Sequence, residues 1–95
     1  MRKLSKFYVY MLNCRDNSFY TGYTNDLEKR VKTHNAGKGA KYTRARLPVE
    51  LVWWKEYKYL HQVMSVEYKI KQLTRLQKES LVSGRRLDRV LKDAQ

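Results

Sequence analysis

Three segments rich in aromatic and β-branched residues, typical of β-strands, stand out from the polar background of the chain. The first two span residues 7–12 and 19–23, and the polar, turn-forming residues 13–18 separate them. This order predicts a β-hairpin. A third strand is predicted over Val49–Tyr57. Gly22, inside the second strand, indicates a bulge or a close approach of another group to the backbone.

A helical pattern begins directly after the hairpin. Asn25 and Glu28 have the spacing of a capping box, in which the first residue caps the helix and the second reaches back to it. The pattern predicts a helix over residues 26–35, with Leu27 and Val31 on its apolar face. It ends before a segment that contains two glycines.

Two further helices are predicted after the third strand. Apolar residues at helical spacing indicate a helix from about Leu60 to Leu73. Thr74 and Gln77 have the spacing of another capping box, which predicts a short helix that runs to about Val82. The apolar positions of the longer helix are Val63, Val66, Ile70 and Leu73.

These elements predict an α/β fold of the α+β kind, a small three-stranded antiparallel sheet flanked by about three helices. A chain of 95 residues is expected to form one domain, which we place at residues 1–82, and to act as a monomer. Residues 83–95 form a basic tail whose apolar residues recur at helical spacing. Two alternatives remain open for this tail, a loose amphipathic helix or a disordered segment.

The positive charge of the chain indicates which kinds of partner it attracts. Lys and Arg number 21 against 9 Asp and Glu, a formal net charge of +12. A field of this size attracts polyanions. Nucleic acid, with DNA foremost, is the leading candidate, an anionic membrane surface is second and an acidic protein is third. A basic surface that serves only solubility is the alternative.

The single cysteine and the N-terminal residues bear on the compartment. Cys14 has no partner for an intrachain disulfide, which fits a reducing cytoplasm, and we expect a packed thiol rather than a nucleophile. The basic residues 1–6 are not followed by a long apolar segment, so no signal peptide is predicted. No apolar run is long enough to span a bilayer.

Four residues of the first half have side chains suited to handling protons and phosphate. Tyr10 and Tyr20 can face the same side of the hairpin, where neighbouring cations and a metal would favour the phenolate. Arg30 offers a planar fork for a phosphate oxygen. His34, four residues later, shares its face and can relay a proton or bind a phosphate or a tyrosine hydroxyl. The alternative for the two tyrosines is that they are core aromatic residues. The alternative for Arg30 and His34 is that they lie on an exposed helix face.

Glu67 lies at the edge of the apolar stripe of its helix. A carboxylate in that position is costly without a partner. Two interpretations are open: an ion pair with a nearby cation, or a ligand for Mg²⁺ or Mn²⁺, since hard cations take carboxylate oxygens together with water and substrate phosphate.

The segment from 37 to 48 combines glycines and cations. We interpret it as an exposed loop, with at most one helical turn. It is either a strip that binds the nucleic-acid backbone, with Tyr42 stacking on a base, or a solvated charged loop. Its candidate binding residues are Lys38, Lys41, Tyr42, Arg44 and Arg46.

Taken together, these residues resemble the GIY-YIG nuclease family, and the resemblance covers residues 7 to about 82. Residues 8–10 stand where the GIY triplet belongs, and residues 20–22 stand in place of YIG. The helix with Arg30 and His34 and the later helix with Glu67 follow in the family's order. Three positions depart from the pattern: Tyr8 replaces the glycine of GIY, Thr21 replaces the isoleucine of YIG, and Tyr23 stands where repair-type members carry lysine. The asparagine that many members carry late in the domain has no clear counterpart.

The resemblance implies a metal-dependent endonuclease with one Mg²⁺ or Mn²⁺ ion bound by Glu67. It also implies that Tyr20 is the general base or its hydrogen-bonding partner, with Tyr10 as its companion. Arg30 would hold the scissile phosphate, and His34 would assist proton transfer. The alternative is a catalytically weak or inactive nucleic-acid-binding module. A third hypothesis is a protein that docks a partner through its C-terminal tail.

Overall fold

The computed structural model describes residues 6–94. Residues 1–5, which hold most of the basic N-terminal stretch, and residue 95 lie outside the described part. The strands are β1 (Phe7–Asn13), β2 (Phe19–Thr24) and β3 (Glu50–Tyr57). The helices are α1 (Leu27–Asn35), α2 (Lys41–Arg44), α3 (Leu60–Lys71), α4 (Arg75–Val82) and α5 (Leu87–Asp93).

The three strands form one antiparallel sheet in the order β2-β1-β3, with β1 in the centre. In this register Tyr10 lies opposite Gly22 of β2 on one side and Trp54 of β3 on the other. β2 and β3 are therefore the two edge strands. The predicted α+β fold, the hairpin and the third strand are confirmed.

The sheet buries apolar side chains on both faces, as the alternation along β1 requires. Val9 and Met11 pack into a core with residues of α3, α4 and α5. Tyr10 and Leu12 point the other way and form a second cluster, against which Leu27 and Val31 of α1 pack. The apolar face predicted for the first helix is confirmed.

The start of α1 differs from the sequence-based prediction by one residue. The N-cap is Asp26, not Asn25, and the Asp26 carboxylate accepts a hydrogen bond from the Lys29 backbone N–H at 3.1 Å. The Thr24 hydroxyl accepts the Asp26 N–H at 3.1 Å and fixes the extended backbone before the helix. The capping box of Thr74 and Gln77 is present at α4 as predicted.

The C-terminal residues settle the alternative that the sequence left open. Residues 87–93 form α5. Val90 of this helix is fully buried in the core shared with Val9 and Ile70, and Leu87 and Leu91 pack against that core. The tail is therefore helical, and its apolar face is covered by the rest of the protein.

The segment between α1 and β3 is anchored at both ends. The Asn35 side-chain amide pairs with Val49, donating to its carbonyl at 3.0 Å and accepting its N–H at 2.7 Å. The helical turn allowed for in this segment is α2. The segment is not exposed throughout, because Thr43 is fully buried. Among residues 6–94, no helix combines the length and the apolar character needed to cross a membrane.

Candidate active site

A cleft of about 500 Å³ opens at the β2 edge of the sheet, between β2, the start of α1 and α3. It brings together four residues that the sequence singled out from four different elements: Tyr10, Tyr20, Arg30 and Glu67. Gly22 lies in the cleft wall beside them. We call this site the cleft.

Gly22 allows Tyr10 to reach the cleft across the neighbouring strand. A Cβ atom at Gly22 would lie 2.6 Å from the Tyr10 hydroxyl oxygen and 2.8 Å from Cζ, closer than atoms pack. Only glycine leaves this space free. The close approach indicated by a glycine inside a strand is therefore a contact with the Tyr10 side chain.

Tyr10 and Tyr20 do share one side of the hairpin, with ring centroids 6.5 Å apart. The Tyr10 ring is almost fully buried, and its hydroxyl accepts a hydrogen bond from Arg30 Nε at 3.3 Å. Tyr20 is half-buried and lines the cleft. Arg30 is thus held in place by Tyr10 while its remaining N–H groups are available to a ligand.

His34 does not face the cleft; it lies behind Tyr10 and has no exposed surface. Its Nε2 is 2.8 Å from the Tyr10 hydroxyl, and its Nδ1 is 2.8 Å from the Thr43 hydroxyl. Direct binding of a phosphate to His34, one of the roles expected from the sequence, is excluded by this burial. The hydrogen bond to a tyrosine hydroxyl, another of those roles, is present.

The hydrogen-bond partners fix the direction of this chain. The Thr43 hydroxyl donates to the Ala40 carbonyl at 3.2 Å, so it accepts from His34 Nδ1–H. His34 Nε2 then carries no proton and accepts from the Tyr10 hydroxyl. One lone pair of the Tyr10 oxygen takes the Arg30 N–H, and the Tyr10 side chain lines the cleft.

Burial determines the protonation states of Tyr10 and His34. Burial raises the pKa of Tyr10, and the hydrogen bond from Arg30 offsets this only in part. Arg30 favours the phenolate of Tyr10, as expected of a neighbouring cation, but burial has the larger effect and the pKa of Tyr10 is raised overall. Burial, with a smaller contribution from the Arg30 charge, lowers the pKa of His34. Both side chains are neutral at pH 7.

Glu67 projects from α3 into the cleft with 19% of its side chain exposed. Lys71, one turn further along the helix, lies 3.7 Å from its carboxylate. Within residues 6–94, no group of three or more His, Cys, Asp and Glu side chains is arranged to hold a metal ion. A cation in the cleft would thus have one carboxylate from the chain, a number that Mg²⁺ accepts when water and phosphate oxygens complete its shell.

The basic segment between α1 and β3 divides into two groups. Lys38, Lys41 and Arg44 are exposed, as a backbone-binding strip requires. Arg46 instead forms an ion pair with Asp16 at 2.9 Å and packs its guanidinium 3.9 Å from the centre of the Tyr42 ring.

Tyr42 is exposed and has two close neighbours in the structure. Its ring stacks on Tyr20 with centroids 6.1 Å apart, and the Arg46 guanidinium lies over the ring as well. Stacking of a base on Tyr42, which the sequence suggested, stays a prediction.

Sequence reasoning did not identify Thr43 or Gly39. A Cβ atom at Gly39 would collide with the His34 imidazole. Thr43 supplies the hydroxyl that orients that ring. Both lie in the segment interpreted as exposed, and helical periodicity carries no signal for a threonine in a four-residue helix. Cys14 is buried, and burial raises the pKa of its thiol, in agreement with a packed cysteine.

Comparison with known proteins agrees with this geometry. The sequence profile of the GIY-YIG catalytic domain matches residues 6–80. UPF0213 protein YazA of Bacillus subtilis is 52% identical over 79 residues, which cover 83% of this chain and 80% of that protein. UPF0213 protein CPE1444 of Clostridium perfringens is 55% identical over 78 residues, 82% of this chain and 84% of that protein.

Two solved structures resemble the whole fold. The solution NMR structure of UPF0213 protein BH0048 from Bacillus halodurans has a TM-score of 0.55 and 45% identity, and covers 92% of this chain and 93% of that one. The solution NMR structure of protein EF2693 from E. faecalis has a TM-score of 0.58 and 39% identity, with 87% and 88% covered. The chain belongs to the GIY-YIG catalytic-domain family, whose members include endonucleases, and its relatives include the UPF0213 proteins of bacteria.

Proposed function

We propose that the protein hydrolyses phosphodiester bonds of DNA with little sequence preference, as an endonuclease that depends on one divalent ion. The observation that carries this proposal is the shared cleft of Tyr10, Tyr20, Arg30 and Glu67. The net charge of +12 favours a polyanionic substrate, which the charge attracts without reading its bases. We expect it to act in the cytoplasm as a monomer, on branched or single-stranded DNA of the kind met in repair.

Glu67 is the residue that would bind the ion, Mg²⁺ or Mn²⁺. Its carboxylate lies in the cleft near the Arg30 and Tyr10 side chains, which can face the same phosphate. When bound, such an ion acts as a Lewis acid and orients the phosphate. The Lys71 ammonium, 3.7 Å away, competes for the same carboxylate.

Arg30 is suited to hold the scissile phosphate. Its Nε is committed to Tyr10, which orients the guanidinium plane. The other N–H groups can donate to a non-bridging oxygen and stabilise the charge that develops on it. Arg30 therefore links the phosphate to the residue that handles the proton.

The attacking water needs a group that takes its proton. Tyr20, which lines the cleft, can orient this water and accept its hydrogen bond. Tyr10 lines the cleft beside Tyr20, so the second lone pair of its oxygen can accept from this water, while its own proton is donated to His34 Nε2. As the water gives its proton to the Tyr10 oxygen, Tyr10 gives its phenolic proton to neutral His34, which leaves hydroxide for the attack, neutral Tyr10 and a protonated imidazole. This is the proton-transfer role that remains for the buried histidine.

Cleavage of labelled branched and linear DNA, with Mg²⁺ or Mn²⁺ and with EDTA, tests the proposal. We expect metal-dependent cutting by the wild type and a loss of about 10²-fold or more in Glu67→Gln. Glu50→Gln is the matched control, because Glu50 is an exposed carboxylate at the start of β3. Equal rates for the wild type and Glu67→Gln would reject the hydrolytic site.

The ion pair between Glu67 and Lys71 favours a second candidate, a nucleic-acid-binding module with weak or no catalysis. In that case Glu67→Gln binds DNA as well as the wild type or better, since it removes a negative charge, and neither protein cuts. Binding that is insensitive to salt would speak against both candidates, because contacts with backbone phosphates release counterions.

A further inference from the structure

A second pocket, of about 240 Å³, adjoins the first part of β2. It combines aromatic and hydroxyl side chains of β2 and α2 with two lysines from α3 and α4. We call it the flanking pocket. Its lining residues are Phe19, Tyr20, Thr21, Tyr42, Lys71 and Lys78.

Two contacts join the flanking pocket to the cleft. Tyr20 lines both cavities. Lys71 of the flanking pocket lies 3.7 Å from Glu67 of the cleft. A ligand in one cavity is thus a direct neighbour of a ligand in the other, and both follow the outer edge of β2.

The charges in the flanking pocket call for an anion. Lys78 is half-buried, and within residues 6–94 no carboxylate lies within 4.0 Å of its ammonium group. Burial and the Arg75 charge lower the pKa of Lys78. The Arg75 guanidinium lies 4.6 Å from the centre of the ring of Phe19, a residue that lines the flanking pocket. An anionic group bound between Lys71 and Lys78 would offset the repulsion between the charges of Lys78 and Arg75.

Thr21 provides a second, independent observation. It lines the flanking pocket, and its hydroxyl oxygen is buried without a hydrogen-bond partner in the described part of the chain. A buried hydroxyl without a partner destabilises the folded protein. A ligand oxygen that accepts its proton would remove this cost in the complex.

We propose that the flanking pocket binds the backbone phosphate next to the phosphodiester held in the cleft, through Lys71, Lys78 and the Thr21 hydroxyl. The inference rests on the proposed function, because it takes the cleft to hold the scissile phosphate. The DNA strand then runs along the outer edge of β2 and passes over Tyr20. Because the contacts named are with phosphate oxygens, the pocket binds the backbone and does not read the base.

Equilibrium binding of a short fluorescein-labelled single-stranded oligonucleotide, measured by anisotropy over a salt series in EDTA, tests this assignment. We expect Lys78→Gln and Lys71→Gln each to weaken binding by about tenfold at low salt. Each should also lower the slope of log K against log salt by about 0.7, the value for one lost phosphate contact on a single strand. Lys69→Gln is the matched control, since it removes the same charge from an exposed position of α3 outside both cavities.

The outcomes separate the two proposals. If Lys71→Gln and Lys78→Gln match Lys69→Gln in affinity and slope while the wild type binds and cuts DNA, the flanking pocket is not a phosphate site and the cleft stands. If the wild type cuts DNA with Mg²⁺ or Mn²⁺ but does not bind the oligonucleotide, the flanking-pocket proposal fails alone. If it neither binds nor cuts, both proposals fail.

Thr21→Val, which keeps the shape of the side chain and removes the hydroxyl, gives a second readout. We expect it to raise Tm by on the order of 5 °C and to weaken oligonucleotide binding by several-fold, on the order of one lost hydrogen bond. A rise in Tm with unchanged affinity would show that the hydroxyl takes no part in binding.

Discussion

At the scale of single residues, the site depends on how closely Tyr10 packs against Gly22 and His34. The Tyr10 hydroxyl donates to His34 and accepts from Arg30, and its side chain lines the cleft. Sequence patterns placed Tyr10 and Gly22 on adjacent strands, but they carried no information on how deeply Tyr10 and His34 are buried. The burial that raises the pKa of Tyr10 and lowers that of His34 became visible only in the packed structure.

Gly22→Ala tests the packing of Tyr10. The added methyl group would lie 2.6 Å from the Tyr10 hydroxyl oxygen, so the ring must move away from Arg30 and His34. We expect a loss of about 1–3 kcal/mol in the free energy of unfolding, as for overpacked cores, together with a loss of DNA cleavage. Urea denaturation and the cleavage assay measure the two effects. A variant with wild-type stability and activity would show that the space around Gly22 is not needed.

Tyr10→Phe tests the hydroxyl itself. The variant keeps the ring but leaves Arg30 Nε and His34 Nε2 without their partner, which should cost about 1–3 kcal/mol of stability. We expect cleavage to fall by about 10²-fold or more if Tyr10 relays the proton. Tyr57→Phe, at the opposite edge of the sheet, is the control and should keep its activity. Equal activity of the two variants would remove Tyr10 from the mechanism.

The lowered pKa of His34 makes stability depend on pH. Below about pH 6.5 the unfolded chain takes up a proton at this histidine that the folded protein does not, so the free energy of unfolding falls as the pH falls. His34→Gln should lose less stability between neutral and mildly acidic pH than the wild type does. His61→Gln, at an exposed position, should behave like the wild type. Identical pH profiles for all three proteins would contradict a buried, neutral His34.

At the scale of elements, the sequence predicted the secondary structure wherever periodicity was strong. The hairpin, β3 and the apolar face of α3 follow from alternation and helical spacing. The α1 N-cap was misplaced because Asn25 and Asp26 are equally able to cap, and only the backbone conformation at Asp26 decides between them. The sequence did not decide whether α5 forms, because so short a helix is marginal in isolation and forms through tertiary contacts.

Val90→Ala tests whether α5 belongs to the core. Val90 is fully buried between the sheet and the helices, so the truncation removes apolar contacts and leaves a small cavity. We expect a loss of about 2 kcal/mol in the free energy of unfolding, measured by urea denaturation. Arg89→Ala, at the exposed neighbouring position, is the control and should change stability little. If Val90→Ala is equally neutral, α5 is not coupled to the fold.

At the scale of the whole molecule, folding brings residues of β1, β2, α1 and α3 to one edge of a small sheet. The sequence identified the four residues of the cleft because their order matches a family pattern. It did not show that His34 lies behind Tyr10, or that Arg46 and Tyr42 pack on each other, because both depend on how the segment between α1 and β3 folds back. The exposed cations of that segment add positive charge to the surface of the protein, which suits a nucleic-acid backbone.

The hydrolytic site proposed here is formed by Glu67 and its neighbours in the cleft, with one divalent ion. The dependence of the single-turnover rate of DNA cleavage on Mn²⁺ concentration tests it most directly. We expect the wild type and Glu50→Gln to saturate at the same Mn²⁺ concentration. Glu67→Gln should cut far more slowly and need more Mn²⁺ to approach its limit, because one protein ligand is lost. Identical rate curves for Glu67→Gln and the wild type, or cutting by the wild type that persists in EDTA, would show that cleavage does not depend on an ion held by Glu67.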